Sequence, residues 1–241
     1  MLDYYLSKDN DYINDVIVGI DECACGVMAG DMFICAVIWH PNNITEKVKG
    51  MDNPLIEKIK DSKKMSKSLK KREELKKFIE ENCDIFKIYR VSREIVDEKN
   101  ILQARLYGYK KILDDIYKDY KFDRILIDGT YCNNYHLENG YQIPHTCIEK
   151  GDDKYLQIAA ASMLAKIYHD IYIRELVEEY PKLQDYDLQN NVGYGTKKHL
   201  DALKEKGYTQ FHRKSYGIIK QLVNDKKYNH ILPKHLDNEE E

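Results

Sequence analysis

The chain has 241 residues, is 43% hydrophobic and 33% charged, and carries a formal net charge of −3. That length suffices for one large domain, or a domain with a helical appendage, and the charge excludes a uniformly basic nucleic-acid binder. Four of the 41 acids close the chain, at Asp237, Glu239, Glu240 and Glu241; without them 38 basic residues face 37 acidic ones, so a phosphate-binding face has to come from local clustering.

Residues 1–14 are polar and Tyr-rich, a short lead-in without a basic segment followed by an apolar stretch. Val16 to Ile20 reads as a buried strand. Gly26 and Gly30 mark a turn, and Met32 to Trp39 reads as a second strand, ended by Pro41-Asn42-Asn43. A polar linker runs to about Lys60. Ser66 is placed to cap a helix from about Lys67 to Glu81, with Leu69, Leu75, Phe78 and Ile79 as its apolar stripe.

Ile85 to Val91 reads as a third strand. Asn100 caps a helix through Tyr117. Arg124 to Asp128 is a fourth strand and His145 to Ile148 a short fifth. A helix from about Lys154 to Glu179 ends at Tyr180-Pro181. A loop around Gly193-Tyr194-Gly195 precedes helices from about Lys197 to Lys206 and near Tyr216 to Asn224. Strands that come early and then alternate with helices predict an α/β domain with a mixed sheet over residues 15–180, a helical extension over 181–225 and an acidic tail over 226–241.

Six cysteines stand at 23, 25, 35, 83, 132 and 147. None forms a CxxC pair, and Cys23-x-Cys25 has no matching pair for a zinc site. Cys35 and Cys147 lie in apolar strand-like runs and read as small core residues. A disulfide framework is not expected in a chain of this size without a secretion signal. No segment approaches the ~20 apolar residues of a membrane span, so a reducing, cytoplasmic compartment and no membrane partner are expected.

Acids recur at strand ends. Asp21-Glu22 closes the first strand, Asp128 closes the fourth, and Asp152 follows Lys150-Gly151 just after the fifth. Buried carboxylates repel one another unless a proton or cation neutralises them. Four in such places point to a divalent-metal site, and their hard oxygens suit Mg²⁺ or Mn²⁺, ions that clamp the attacking and leaving oxygens of a phosphodiester.

Other segments carry two readings each. Asp61-Ser62-Lys63-Lys64-Met65-Ser66 precedes a helix and either cradles a phosphate or caps a surface helix with solvated lysines. Ser162, Lys166 and Asp170 share a helix face after Ala159-Ala160-Ala161; the alanines fit tight helix–sheet packing, and Lys166 fits a phosphate contact or a surface ion pair. Tyr194 either stacks on a sugar or base or covers the core. His212-Arg213-Lys214-Ser215-Tyr216 either adds positive charge or starts a helix with a buried histidine.

The segments GIDECACGVMAG (Gly19–Gly30), DSKKMS (Asp61–Ser66), KNILQA (Lys99–Ala104), LIDG (Leu126–Gly129), KGDDKYLQIAAASMLAKIYHD (Lys150–Asp170), GYGTKKHL (Gly193–Leu200) and HRKSYG (His212–Gly217), in this order, resemble ribonuclease HII, the type 2 ribonuclease H family. The resemblance implies a ribonuclease H-like five-stranded mixed sheet flanked by helices, with a helical C-terminal extension. It implies an endonuclease that cleaves the RNA strand of RNA–DNA hybrids and cuts 5′ of single ribonucleotides in duplex DNA. The products carry 5′-phosphate and 3′-hydroxyl ends, and the role is ribonucleotide excision in DNA replication and repair.

The family's metal-binding acids fall on Asp21, Glu22, Asp128 and Asp152, with Asp153 and Asp170 as second choices for the last. Substrate contacts fall on Ala24, Cys25, Gly26, Ser62, Lys63, Lys64, Ser162, Lys166, Tyr194 and Arg213, with Mg²⁺ or Mn²⁺ as cofactor and a monomer as the expected state. The family's usual Gly-Arg-Gly is here Ala24-Cys25-Gly26. Val27 and Asp31 stand where prolines are common, Val192 where a lysine is, and His169 where an arginine is. Two alternatives remain: a nuclease with relaxed ribonucleotide preference, and a non-catalytic nucleic-acid-binding homologue. Persistence of all four acids argues against the second.

Overall fold

Apolar runs bounded by turn residues become strands because each buries two faces of side chains while pairing its backbone. The computed structural model describes residues 15–40, 58–59 and 68–224. All five expected strands are present: β1 (Ile17–Cys23), β2 (Met32–Ile38), β3 (Ile85–Val91), β4 (Arg124–Asp128) and, after a small hairpin, β7 (His145–Ile148). They form one sheet in the order β3-β2-β1-β4-β7. β1 pairs antiparallel with β2 and parallel with β4, and β4 pairs parallel with β7. Every residue of β2 is buried, which is why its sequence is continuously apolar and does not alternate.

Contacts divide the chain into two compact units. One comprises the residues up to Cys23, Phe33–Tyr89 and Arg105–Ile167; the other comprises Ala24–Met32, Arg90–Ala104 and the chain from Tyr168 onward.

In the sheet-bearing unit, α1 (Leu69–Asn82) buries Leu75, Phe78 and Ile79, whereas Leu69 is exposed. Ser66 and Lys67 lie outside the described residues, and the residue before the helix is Ser68. The N-terminal half of α4 (Leu156–Glu179) comes unusually near β1. A Cβ on Gly19 would lie 2.4 Å from the Gln157 carbonyl carbon, closer than any real contact, so glycine is required there. Ala159, Ala160 and Ala161 are fully buried beside this approach. The alanine run is therefore packing, and a helix buried nearly all round shows no apolar stripe.

A hairpin and a short helix were among the elements not foreseen. The hairpin of β5 (Tyr135–His136) and β6 (Gln142–Ile143) turns at Asn139-Gly140, with Gly140 at φ 84°. Its Asn-Gly signal was legible, but two-residue strands carry no measurable alternation. The short helix α2 (Arg93–Lys99) is capped by Ser92, whose hydroxyl accepts from the Ile95 N–H. Asn100 ends α2 with a positive φ of 65° and caps α3 (Ile101–Asp119), its Oδ1 accepting from the Gln103 N–H at 3.1 Å.

The other unit packs Ala29, Ile173, Leu176, Leu183, Leu203 and Phe211 into its own core. It holds α5 (Leu188–Asn191), α6 (Lys197–Lys206) and α7 (Gly217–Asn224). Thr196 caps α6 with its hydroxyl, and Gly207 ends it at φ 79°. Among the described residues no helix is long and apolar enough to cross a membrane.

Candidate active site

Register places Asp21 and Asp128 on neighbouring strands of the sheet-bearing unit. Ile20 of β1 lies opposite Ile127 of β4, so Asp21 and Asp128 follow the last pair of that parallel ladder; Asp128 ends β4, whereas β1 runs on to Cys23. Asp128 lies opposite Ile148 of β7. Asp21 is 5% exposed, and its carboxyl is pushed well above the ordinary range. Burial is the largest cause, followed by the charges of Glu22 and Asp128; hydrogen bonds from the Ser162 hydroxyl and the Glu22 N–H oppose it. The Glu22 N–H reaches Asp21 Oδ1 at 2.7 Å.

Strand alternation sends the neighbouring Glu22 to the opposite face. There it accepts from Arg105 Nη1 at 3.2 Å and from the Tyr109 hydroxyl, both on α3. Burial and the Glu22 charge hold the Tyr109 phenol well above its usual value, so it stays a donor. Arg105 and Tyr109 were missed in the sequence; they sit i, i+4 within an otherwise apolar helix face, which was the available signal.

Asp128 Oδ1 accepts from the Gly151 N–H at 2.7 Å. This ties the end of β4 to the single 3₁₀ turn Gly151–Asp153 that carries Asp152. A Cβ at Gly151 would meet Ile158 Cδ1 at 2.6 Å, so a larger residue there would have to displace the end of that side chain. Asp152 is buried, whereas Asp153 is exposed. Asp170 belongs to the other unit, where its Oδ1 lies 3.3 Å from Nδ1 of the buried His169. Ser162 bonds Asp21 and Lys166 is half-buried, whereas Ser62, Lys63 and Lys64 lie outside the described residues.

The second unit assembles three distant segments around residues 24–30. Ala24 is buried at φ 71°, the left-handed region that favours glycine. Gly26 is exposed, and a Cβ there would touch nothing. The Met28 N–H donates to the Gly193 carbonyl at 2.8 Å, and Gly193, at φ 87°, comes so near Ala29 that a Cβ would lie 2.4 Å from its oxygen. The Gly193-Tyr194-Gly195 loop is thereby fixed to the Ala24–Gly30 segment, with Tyr194 38% exposed.

Arg213 differs from expectation. It is fully buried, with Nε donating to the Gly30 carbonyl and Nη1 to the Cys25 carbonyl, both at 3.0 Å. The Tyr216 hydroxyl also donates to the Cys25 carbonyl, at 2.7 Å. A guanidinium spent on backbone carbonyls inside the protein is not a surface phosphate ligand. The reading of His212 as a buried histidine holds, and Arg213 is buried with it. Asp31, at a position where proline is common, is 2% exposed and pairs with Arg90 and Arg93.

His212 and His199 form a directed chain. The Thr209 N–H donates to His212 Nδ1 at 2.9 Å, so His212 carries its proton on Nε2 and gives it to His199 Nε2 at 3.0 Å; His199 Nδ1 then donates to the Tyr194 carbonyl at 3.0 Å. Both rings are neutral: burial lowers His199, and burial with its partner lowers His212 to about 3. An unfolded histidine titrates near 6.5, so the unfolded chain binds the extra proton first as pH falls. Stability is therefore full above about 6.5 and is lost between there and about 3, at about 1.4 kcal/mol per pH unit for His212. Denaturant melts of wild type and His212→Asn, in which the amide keeps the donor and acceptor directions, should diverge by that slope below pH 6. Parallel curves down to pH 4.5 would contradict it.

A five-stranded mixed sheet flanked by helices, with Asp21 and Asp128 on adjacent parallel strands, is the architecture of the ribonuclease H class. Solved structures share the fold: the ribonuclease HII of a PCNA complex from Archaeoglobus fulgidus superposes with TM-score 0.63 at 25% identity over 84% of this chain and 95% of that one. A Bst ribonuclease HIII in complex with Mn²⁺ gives 0.65 at 13% identity over 88% of this chain and 70% of that one. The family model described as Ribonuclease HII matches residues 18–218. Relatives named Ribonuclease HII include that of Bacteroides thetaiotaomicron, 38% identical over 91% of this chain and 96% of its own, and that of Christiangramia forsetii, 36% identical over the same shares. The chain belongs to the ribonuclease HII family of endonucleases.

Proposed function

We propose that this chain cleaves the RNA strand of RNA–DNA hybrids and cuts 5′ of single ribonucleotides embedded in duplex DNA, with Asp21, Glu22, Asp128 and Asp152 holding Mg²⁺ or Mn²⁺. The observation that carries this is Asp21, a buried carboxylate crowded by Glu22 and Asp128. An all-carboxylate donor set fits a hard divalent cation, and a cation removes the repulsion that raises Asp21. The Mn²⁺ complex of the Bst protein supports the same chemistry. Bound ions supply a nucleophilic water and stabilise the leaving 3′-oxygen.

The protein's own groups set the geometry. Ser162 and the Glu22 N–H orient Asp21, Arg105 and Tyr109 hold Glu22, and the Gly151 N–H fixes one oxygen of Asp128. Ser62, Lys63, Lys64 and Lys166 are proposed to take phosphates, and Tyr194 to stack on the neighbouring deoxyribose. Ribonucleotide recognition is proposed for the Ala24-Cys25-Gly26 backbone. Arg213 and Tyr216 turn the Cys25 carbonyl inward, so the trans peptide aims the exposed Gly26 N–H the other way.

The deciding experiment is nicking of a duplex with one ribonucleotide, beside all-DNA and continuous-hybrid duplexes, with and without Mg²⁺. Asp128→Asn should lower turnover about a thousandfold, the several kcal/mol expected of a lost metal ligand, while duplex binding persists. Wild-type-like turnover by that variant, or equal cutting of all-DNA, sinks the proposal.

The departure at Ala24-Cys25 tests the relaxed-preference alternative. Ala24→Gly should add about 1 kcal/mol of stability by relieving the left-handed strain. With Cys25→Arg it should raise the ratio of single-ribonucleotide to continuous-hybrid cleavage, and Tyr194→Ala should lower it. An unchanged ratio in the double variant would make the departure neutral.

A further inference from the structure

Cys147 was read as a core residue, yet it is only half-buried, and two other soft donors stand beside it. Sγ of Cys132, a ring nitrogen of His145 and Sγ of Cys147 all lie within 4.8 Å of one another. The fold explains the grouping. His145 and Cys147 are i, i+2 on β7, so they share one face of the sheet, opposite Ile125 and Ile127 of β4. Cys132 arrives from the segment that follows β4, four residues beyond Asp128. His145 Nδ1 is buried and finds no hydrogen-bond partner among the described residues. A ring with a buried nitrogen left so, grouped with two thiols, is one that a ligand would satisfy.

We propose that Cys132, His145 and Cys147 form a binding site for one thiophilic divalent cation of the Zn²⁺ type, distinct from the carboxylate site. Two thiolates and an imidazole select a softer ion than Mg²⁺ or Mn²⁺. Tetrahedral coordination places sulfur ligands about 3.8 Å apart, so the donors need move by only about an ångström. All three residues are half-buried, which leaves a path for the ion and a fourth position open to water. The sequence hid the site because its ligands come from positions 132, 145 and 147, a spacing that matches no CxxC pattern.

The position gives the site a consequence. A cation there would staple the segment after β4 to β7, the two stretches that lead from Asp128 and toward Asp152. Occupancy should therefore raise thermal stability without Mg²⁺.

The test uses the full chain, reduced and stripped by a chelator, titrated with Co²⁺ alone. Uptake of one equivalent with a thiolate-to-cobalt charge-transfer band, displaced by Zn²⁺, is the expected result. Cys132→Ser and Cys147→Ser should each lose the band, His145→Ala should weaken Co²⁺ binding, and Cys83→Ser should leave it unchanged. Hard ions at the carboxylates give no such band, so the readout is independent of the catalytic proposal. Absence of the band in folded wild type, or its survival in both serine variants, overturns the site. So does a Cys132–Cys147 disulfide in metal-free protein with no Co²⁺ uptake after reduction.

Discussion

Asp21→Asn should make the metal-free protein more stable by about 2 kcal/mol, or roughly 4–8 °C in Tm, while abolishing cleavage. Asp21 is buried beside two other carboxylates, so its charged form is disfavoured. Its folded pKa lies above the ordinary value of 3.8, and the sign follows. Above 3.8 the unfolded carboxyl releases its proton before the folded one, so stability falls as pH rises toward the folded value. Asparagine is neutral throughout and keeps an oxygen for the Glu22 N–H. In chelator, the variant should melt above wild type at pH 7 and show a flatter pH dependence. Mg²⁺ should raise the wild-type Tm and leave the variant nearly unmoved, because binding energy adds to stability only where a site exists. A variant that melts lower in chelator, or still turns over, would contradict the role assigned to Asp21.

Arg213→Met should cost about 3 kcal/mol of stability and reduce ribonucleotide selectivity together. The fully buried guanidinium holds the Gly30 and Cys25 carbonyls, and methionine leaves the first without that donor and the second with Tyr216 alone. Arg213→Lys should recover only part of the loss, since an ammonium lacks the planar fork that serves both carbonyls. A surface phosphate contact would behave otherwise: stability would hold, and the salt dependence of duplex binding would flatten by about one ion. Thermal melts, salt-dependent binding and the two-substrate cleavage ratio separate these outcomes. Unchanged melting with a flatter salt slope would return Arg213 to the surface role read from its neighbours in sequence.

The five strands and the longer helices were legible because each is a continuous apolar or periodic run bounded by glycine, proline or a capping residue. The acids at strand ends were legible because carboxylates following buried runs are costly without a purpose. Local pattern thus sufficed for which residues form the sheet and for the carboxylates that follow its apolar runs. It did not reach the partners of those carboxylates. Arg105 and Tyr109 meet Glu22, and the Gly151 N–H meets Asp128, only through parallel register and helix packing across many residues.

Charge was the least reliable guide. Arg213 and Lys214 are adjacent in sequence, yet the first is fully buried and the second exposed. Burial of a long polar side chain depends on whether distant backbone carbonyls converge on it. Cys147 shows the same limit. Its apolar neighbours made it look like core; His145 shares its strand face, but only tertiary structure put Cys132 beside the pair. Sequence by itself determined the family and the sheet, since those depend on residue type and local period. Tertiary structure alone decided which polar groups are buried, whom they bond and which sulfurs meet, because those depend on register and close approach between segments far apart in the chain.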